Sequence, residues 1–300
     1  MDDLTGEIVY QSYTAEQLTA QMAVHTTVEN LGGYMAESAA LAKAALDQVS
    51  GQFDIAYGAD DVQKLDIYAP DGADKAPVLI DIHGGGWTQG TKETRSLPAP
   101  AINKRGIIWV PIDYGLAPDY TMSGIVDHVR SAVAWVYKNI SQYGGDPDRL
   151  FVSGNSAGGH LTGTTVMPGW HGKFGIPDNA VKGACAMSGV FDLEALVCAA
   201  SGPNDALKMD LDEANANAPI RHLPEAGIEP SQAPALVVAY GEPELDEFKR
   251  QSRSFTAAWR KAGFGVTEIQ VPGAHHFAMS REFANSGGEL HAAVMEMIGV

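Results

Sequence analysis

Four short stretches of the chain carry residue types that can do chemistry together. Gly154-Asn155-Ser156-Ala157-Gly158 fits G-x-S-x-G, in which the serine sits on a strained strand-to-helix turn with its hydroxyl projecting from the top of a sheet. Side chains at the flanking glycines would collide with the neighbouring strand or helix. A neutral hydroxyl is a poor nucleophile, so acyl transfer also needs a base, a group that orients the base, and donors for the developing oxyanion.

The base is sought in Val271-Pro272-Gly273-Ala274-His275-His276-Phe277, a turn that follows the last strand-like run and holds two competing histidines. The orienting acid belongs after the preceding strand, in Gly241-Glu242-Pro243-Glu244-Leu245-Asp246-Glu247-Phe248. Glu244 and Asp246 are the serious candidates, and periodicity does not choose between them; the other is read as a charge at a helix N-terminus, where the macrodipole favours acids. The amide of Ala157, next to the serine, is one oxyanion donor. The Gly84-Gly85-Gly86 run supplies the others, because residues without Cβ let backbone approach a reacting carbonyl. A preorganised donor of this kind is worth roughly 3 to 4 kcal/mol in the transition state.

These groups must be positioned by elements, and the hydrophobic pattern supplies them. Residues 77–82, 107–113, 150–153, 181–187 and 235–240 are short apolar runs that read as strands, 266–271 reads as a last strand, and 64–68 alternates as a strand does. Ile125, Val126, Val129, Val133, Val136 and Ile140 recur at three- and four-residue steps, predicting an amphipathic helix that Gly144-Gly145-Asp146-Pro147 stops. Helices are expected over 248–261 and 282–298, and two helical pieces, separated at Gly32-Gly33, over 12–50. Strands alternating with helices predict an α/β fold with a mostly parallel central sheet covered on both faces. Residues 191–233, with Pro203, Pro219, Pro224 and Pro230, form too long an excursion between two strands to lack a role. They are read as a cap over the serine, joined there by the N-terminal helices. The expected organisation is a helical cap segment over 1–50 and a catalytic domain over 51–300, with its cap excursion at about 191–233.

Composition excludes some partners. The net charge of −17, from 20 basic and 37 acidic residues, disfavours nucleic acid and anionic membrane surfaces. No apolar run reaches membrane-spanning length, and the acidic start Met1-Asp2-Asp3-Leu4-Thr5-Gly6-Glu7 has no apolar core of a secretory signal. Cys185 and Cys198 fit neither metal-ligand nor C-x-x-C spacing, and adjacent His275 and His276 lack further ligands. The expectation is a cytoplasmic protein with reduced thiols and no metal.

His83-Gly84-Gly85-Gly86-Trp87 and Gly154-Asn155-Ser156-Ala157-Gly158-Gly159, with Asp113-Tyr114-Gly115-Leu116-Ala117-Pro118 and Gly145-Asp146-Pro147 between them, resemble the signatures of α/β-hydrolases, in particular bacterial carboxylesterases of the hormone-sensitive-lipase type. The resemblance runs from about residue 64 to the C-terminus. Glu247-Phe248-Lys249-Arg250-Gln251-Ser252 resembles the Glu-Phe-x-x-Gln-Ser of the kynurenine formamidase-like branch, whose N-terminal helical region residues 13–27 also resemble. This resemblance implies an α/β-hydrolase fold with Ser156 as nucleophile and His276, the histidine before an aromatic, as base. The acid falls three residues before Glu247, at Glu244, a position more often Asp; the order serine, acid, histidine is that of the fold.

It further implies an oxyanion hole of Gly85, Gly86 and Ala157, a substrate contact at Asn155, no cofactor, and a homodimer by analogy. Trp87 either lines the acyl or alcohol pocket or belongs to the core. Gly86 stands where the formamidase branch more often has a bulky residue, which leans toward esters. The leading expectation is a hydrolase of small to medium carboxylic esters acting through an acyl-enzyme. The alternatives are an arylformamidase with the same machinery and, from another class, a non-catalytic ligand-binding homologue.

Overall fold

A computed structural model describes residues 6–224 and 233–300. Eight strands form one sheet: β1 (Gln52–Ala56), β2 (Lys64–Ile67), β3 (Ala76–Ile82), β4 (Ile108–Ile112), β5 (Gly145–Asn155), β6 (Val181–Met187), β7 (Ala235–Gly241) and β8 (Val266–Val271). Their order across the sheet is β1-β2-β4-β3-β5-β6-β7-β8. The first two run antiparallel, and every pair from β4 to β8 is parallel. The parallel strands are covered on both faces, which is why β3, β4 and β6 read as nearly unbroken apolar runs.

Alternate side chains of each strand enter different cores, as the two-residue period of a strand requires. Val78, Ile80, Val110 and Val152 pack with the helices Met122–Asn139 and Asp246–Lys261 on one face. Leu79, Trp109, Phe151 and Val237 pack with Met279–Ala284 and Glu289–Ile298 on the other. A side chain such as Val129, fully buried in the first core, contributes at most about 1.5–3 kcal/mol by leaving water. The register then decides where chemistry can sit. Ile82 pairs Gly154, Asn155 pairs Met187, Met187 pairs Ala239, and Gly241 pairs Val271. The C-terminal ends of β3, β5, β6, β7 and β8 therefore finish along one edge, the edge at which open α/β sheets present ligand sites.

Four details differ from the sequence-based expectation. The N-terminal break falls at residues 23–30, between helices Ala15–Met22 and Leu31–Leu46. Gly32 and Gly33 instead lie in the first turn of the second helix, whose cap Asn30 accepts the Gly33 amide. The expected closing helix is two helices, because Gly287 and Gly288 disfavour helix between Ala284 and Glu289. Gly145-Asp146-Pro147 does not follow the first amphipathic helix as a stop but opens β5, the reversal being made by Gly144 at φ +82°. Strand β1 gave no apolar signal, since it is an exposed edge strand. Within the excursion over 191–233 lie the short helices Glu194–Cys198, Asn204–Leu207 and Leu211–Ala216; its stretch 225–232, with Pro230, and residues 1–5 lie outside the described residues.

Candidate active site

Strand β5 ends at Asn155, and the next residue turns the chain sharply. Ser156 has φ +60° and ψ −121°, a conformation that costs a non-glycine residue of order 1–3 kcal/mol. Two backbone bonds hold it there: its amide donates to Met187 O at 2.9 Å, and its carbonyl accepts the His160 amide at 3.0 Å, opening helix Ala157–Thr165. Its hydroxyl makes no capping bond. Glycine is required two residues on, where a Cβ on Gly158 would stand 2.1 Å from Ile82 O.

Glu244 and His276 follow β7 and β8. His276 Nδ1 lies 2.9 Å from Glu244 Oε2, with both residues buried. The other carboxylate oxygen, Oε1, accepts the Ser188 hydroxyl at 2.5 Å and the Gly241 amide at 2.7 Å. Burial pushes the Glu244 carboxyl up, but the adjoining His276 and these donated bonds outweigh it, so the net shift is downward and the group is held ionised. A carboxylate at Nδ1 assigns the ring proton to that nitrogen and leaves Nε2 with its lone pair. The edge of the imidazole is held by Phe248, at 4.7 Å between centroids. The His276 loop is also tied to the serine turn, since Asn155 Nδ2 donates to His276 O at 3.3 Å. Asp246, the competing acid, is largely exposed and pairs with Lys249 at 2.9 Å in the first turn of its helix. His275 turns away, its ring edge-to-face with Tyr34.

After β3 the chain passes through Gly85 at φ +122°, Gly86 at +60° and Trp87 at +59°. This loop reaches the serine: a Cβ on Gly84 would stand 3.2 Å from Ser156 Cβ. Among the described residues, the amides of Gly85, Gly86 and Ala157 donate to no protein acceptor. The Asp113-to-Pro118 stretch buttresses the loop, with the Tyr114 hydroxyl donating to His83 O at 2.7 Å and the Ala117 amide to Trp87 O at 2.8 Å. His83 stacks on Tyr114 at 4.1 Å. Burial lowers its imidazole to about 4.

Two residues expected at the substrate are turned elsewhere. Trp87 is 2% exposed within the main core, its indole N–H donating to His160 Nδ1 at 3.2 Å, so it takes the core alternative. Asn155 is buried, and its side chain ties the serine turn to the His276 loop instead of facing solvent. Sequence reasoning missed Ser188, which is wholly buried at φ +48° with its amide on Ala239 O. Its one available signal is a serine directly after an apolar strand, in Met187-Ser188-Gly189. Among the described residues, no group of three or more His, Cys, Asp or Glu side chains is placed to hold a metal ion, and no helix is long and apolar enough to cross a membrane.

A family model described as BD-FAE matches residues 65–239. The chain is 29% identical over 247 residues to a kynurenine formamidase of Danio rerio, covering 82% of this chain and 81% of that one. It is 34% identical over 246 residues to esterase LipQ of Mycobacterium tuberculosis, covering 74% of this chain and 56% of that one. Among solved structures, a putative thioesterase from Silicibacter sp. TM1040 superposes with a TM-score of 0.75 at 23% identity, over 93% of this chain and 98% of that one. An inhibited esterase B from Lactobacillus rhamnosis gives 0.69 at 20% identity, over 91% and 96%. These two share the fold.

Proposed function

The chain belongs to the BD-FAE family of α/β-hydrolase esterases, and from this we propose that it hydrolyses small to medium carboxylic esters through an acyl-enzyme formed on Ser156. The observation that carries the reading is the buried hydrogen bond between Glu244 and His276, anchored by Ser188 and Gly241 beside a serine on a strained turn. Ser156 Oγ attacks the acyl carbonyl while His276 Nε2 takes its proton. The amides of Gly85, Gly86 and Ala157 receive the oxyanion, and loss of any one donor costs about 10²–10³ in rate. Collapse of the tetrahedral intermediate expels the alcohol, which takes the proton back from the imidazolium. Water, activated by the same nitrogen, then releases the acid. Glu244 holds the imidazole and stabilises its charge without itself taking the proton.

The segments over 1–50 and 191–233 act as the cap in this reading. Support comes from the bonds of Ala15 and Thr19 to Ala200 and Ser201, and from Pro203, whose Cγ is 3.8 Å from where a Cβ on Gly86 would stand. A second reading, hydrolysis of an aryl formamide, is favoured by the kynurenine formamidase relative over 82% of the chain and by the motif from Glu247 to Ser252; each substrate class forms a tetrahedral oxyanion that the same donors would receive, with an amine instead of an alcohol as the leaving group. The test is hydrolysis of p-nitrophenyl acetate and butyrate beside N-formylkynurenine, by the parent and by Ser156→Ala. The expected outcome is ester turnover that the substitution reduces by at least about 10³-fold with the circular dichroism spectrum unchanged. Turnover persisting in Ser156→Ala would sink the serine mechanism, and a kcat/KM higher for the formamide would select the second reading.

A further inference from the structure

The acid and the base stand on separate loops, and each loop is also held from outside by one and the same N-terminal segment. Helix Asp246–Lys261 begins two residues after Glu244, and its cap residue, Leu245, offers no side-chain acceptor. The first amides of a helix have no partner within it. That of Glu247 donates to Gln21 Oε1 at 3.0 Å, from 226 residues away in sequence. Gln21 lies near the end of helix Ala15–Met22, which is itself fixed by a capping box between Thr14 and Gln17.

The second tie reaches the base. After a single turn of 3-10 helix, Val24–Thr27, the chain enters helix Leu31–Leu46. There the Tyr34 hydroxyl donates to Phe277 O at 3.4 Å, and its ring meets His275 at 4.6 Å between centroids. His276 is the residue between these two contacts. Arg281 locks the arrangement: its guanidinium lies 3.9 Å from the Tyr34 ring centroid and donates to Tyr34 O, Ser38 and Glu37.

We infer that the segment from Ala15 to Ser38 is a positioning strap, in which Gln21 fixes the helix behind Glu244 and Tyr34 fixes the loop that carries His276. The inference rests on the proposed roles of that pair. In this role Gln21 and Tyr34 act not on substrate but through the hydrogen bond between Glu244 and His276, whose partners follow different strands. Misplacement of a reacting group by an ångström costs about 10²-fold, and loss of one outer tie allows less movement than that. The strap thus gives the N-terminal helices a task beyond covering the serine.

The test uses the full chain with Gln21→Met, Gln21→Glu, Tyr34→Phe and the double variant Gln21→Met/Tyr34→Phe. Methionine keeps the length of Gln21 without its amide acceptor, glutamate keeps an acceptor at the same reach, and phenylalanine removes only the hydroxyl. Kinetics on p-nitrophenyl butyrate are read together with hydrogen exchange of peptides spanning 241–248 and 274–280. The strap predicts that Gln21→Met and Tyr34→Phe each lower kcat about three- to tenfold with KM unchanged, that Gln21→Glu restores kcat to within twofold of the parent, and that Gln21→Met speeds exchange of 241–248 and Tyr34→Phe that of 274–280. Three results overturn it: a kcat within twofold of the parent in the double variant, a Gln21→Glu as impaired as Gln21→Met, or unchanged exchange in both peptides. If the parent itself hydrolyses no ester, the functional reading fails instead, and the exchange measurement still decides whether the strap holds the two loops.

Discussion

Glu244 and Asp246 stand two positions apart with opposite surroundings. The first is buried with both oxygens engaged, by His276 on one side and by Ser188 and Gly241 on the other. The second is mostly in water beside Lys249, an exposed i,i+3 pair of the kind worth at most a few tenths of a kcal/mol. In the proposed mechanism Glu244→Gln therefore removes the charge that would stabilise the imidazolium and presents an amide of the wrong polarity to Nδ1–H or to the Gly241 amide. It is expected to lower kcat by about 10³–10⁴-fold, whereas Asp246→Ala stays within twofold. Steady-state kinetics on one ester settle it; comparable losses in the two variants would move the acid away from Glu244. Ser188 follows the same logic at smaller scale, since Ser188→Ala leaves Glu244 Oε1 its Gly241 donor.

At the scale of elements, the loop after β3 separates two glycines that look alike in sequence. A Cβ on Gly85 would stand 2.0 Å from Gln89 O, whereas at Gly86 the nearest atom is 3.8 Å away. Gly85→Ala must displace the loop, with an expected loss of about 10²–10³-fold in kcat, the size of a lost oxyanion donor. Gly86→Ala meets only the left-handed backbone penalty of roughly 1–2 kcal/mol and is expected to keep most of the rate; equal losses would count against the loop's assigned role.

The same contrast explains what is legible in the sequence. Strands β3 and β6 announce themselves as nearly unbroken apolar runs because both sheet faces are covered, and helix Met122–Asn139 by its period, because burial on one face writes it into neighbouring residues. The serine turn and the glycine loop are legible because close backbone approach admits only glycine at certain positions. Ser188, the Gln21 cap and the inward turn of Asn155 are not, because each is a bond between segments distant in sequence and leaves no local pattern. The placement of β4 between β2 and β3 is silent for the same reason, and Gly32-Gly33 misleads because the Asn30 cap just before it starts the helix in spite of the two glycines in its first turn.

For the whole molecule, two buried histidines set part of the response to acid. Burial lowers the imidazoles of His83 and His160 to about 4, and the nearby charge of Arg130 adds to the effect on His160. Trp87 donates to His160 Nδ1, and Nε2 faces the Asn217 carbonyl at 2.9 Å, so the ring is held neutral with its proton on Nε2. As pH falls below 6.5 an unfolded chain protonates both rings while the folded one resists to about 4. The stability they contribute is therefore intact above pH 6.5 and lost progressively between 6.5 and 4. Asp113 works in the opposite sense, because burial raises its carboxyl to about 6; its contribution is fully present below the ordinary carboxylate range and is lost as pH rises through 6. The net charge of −17 also relaxes on acidification.

A difference measurement cancels these backgrounds. His160→Gln keeps one acceptor for Trp87 and one donor for Asn217 but cannot protonate. It is expected to lower stability at pH 7 through imperfect fit, yet to lose about 2 kcal/mol less than the parent between pH 7 and pH 5. Urea unfolding at the two pH values reads this directly. Curves that fall in parallel would mean that His160 titrates alike in the folded and unfolded chain, and the hydrogen bonds from Trp87 and to Asn217 would then hold no particular protonation state.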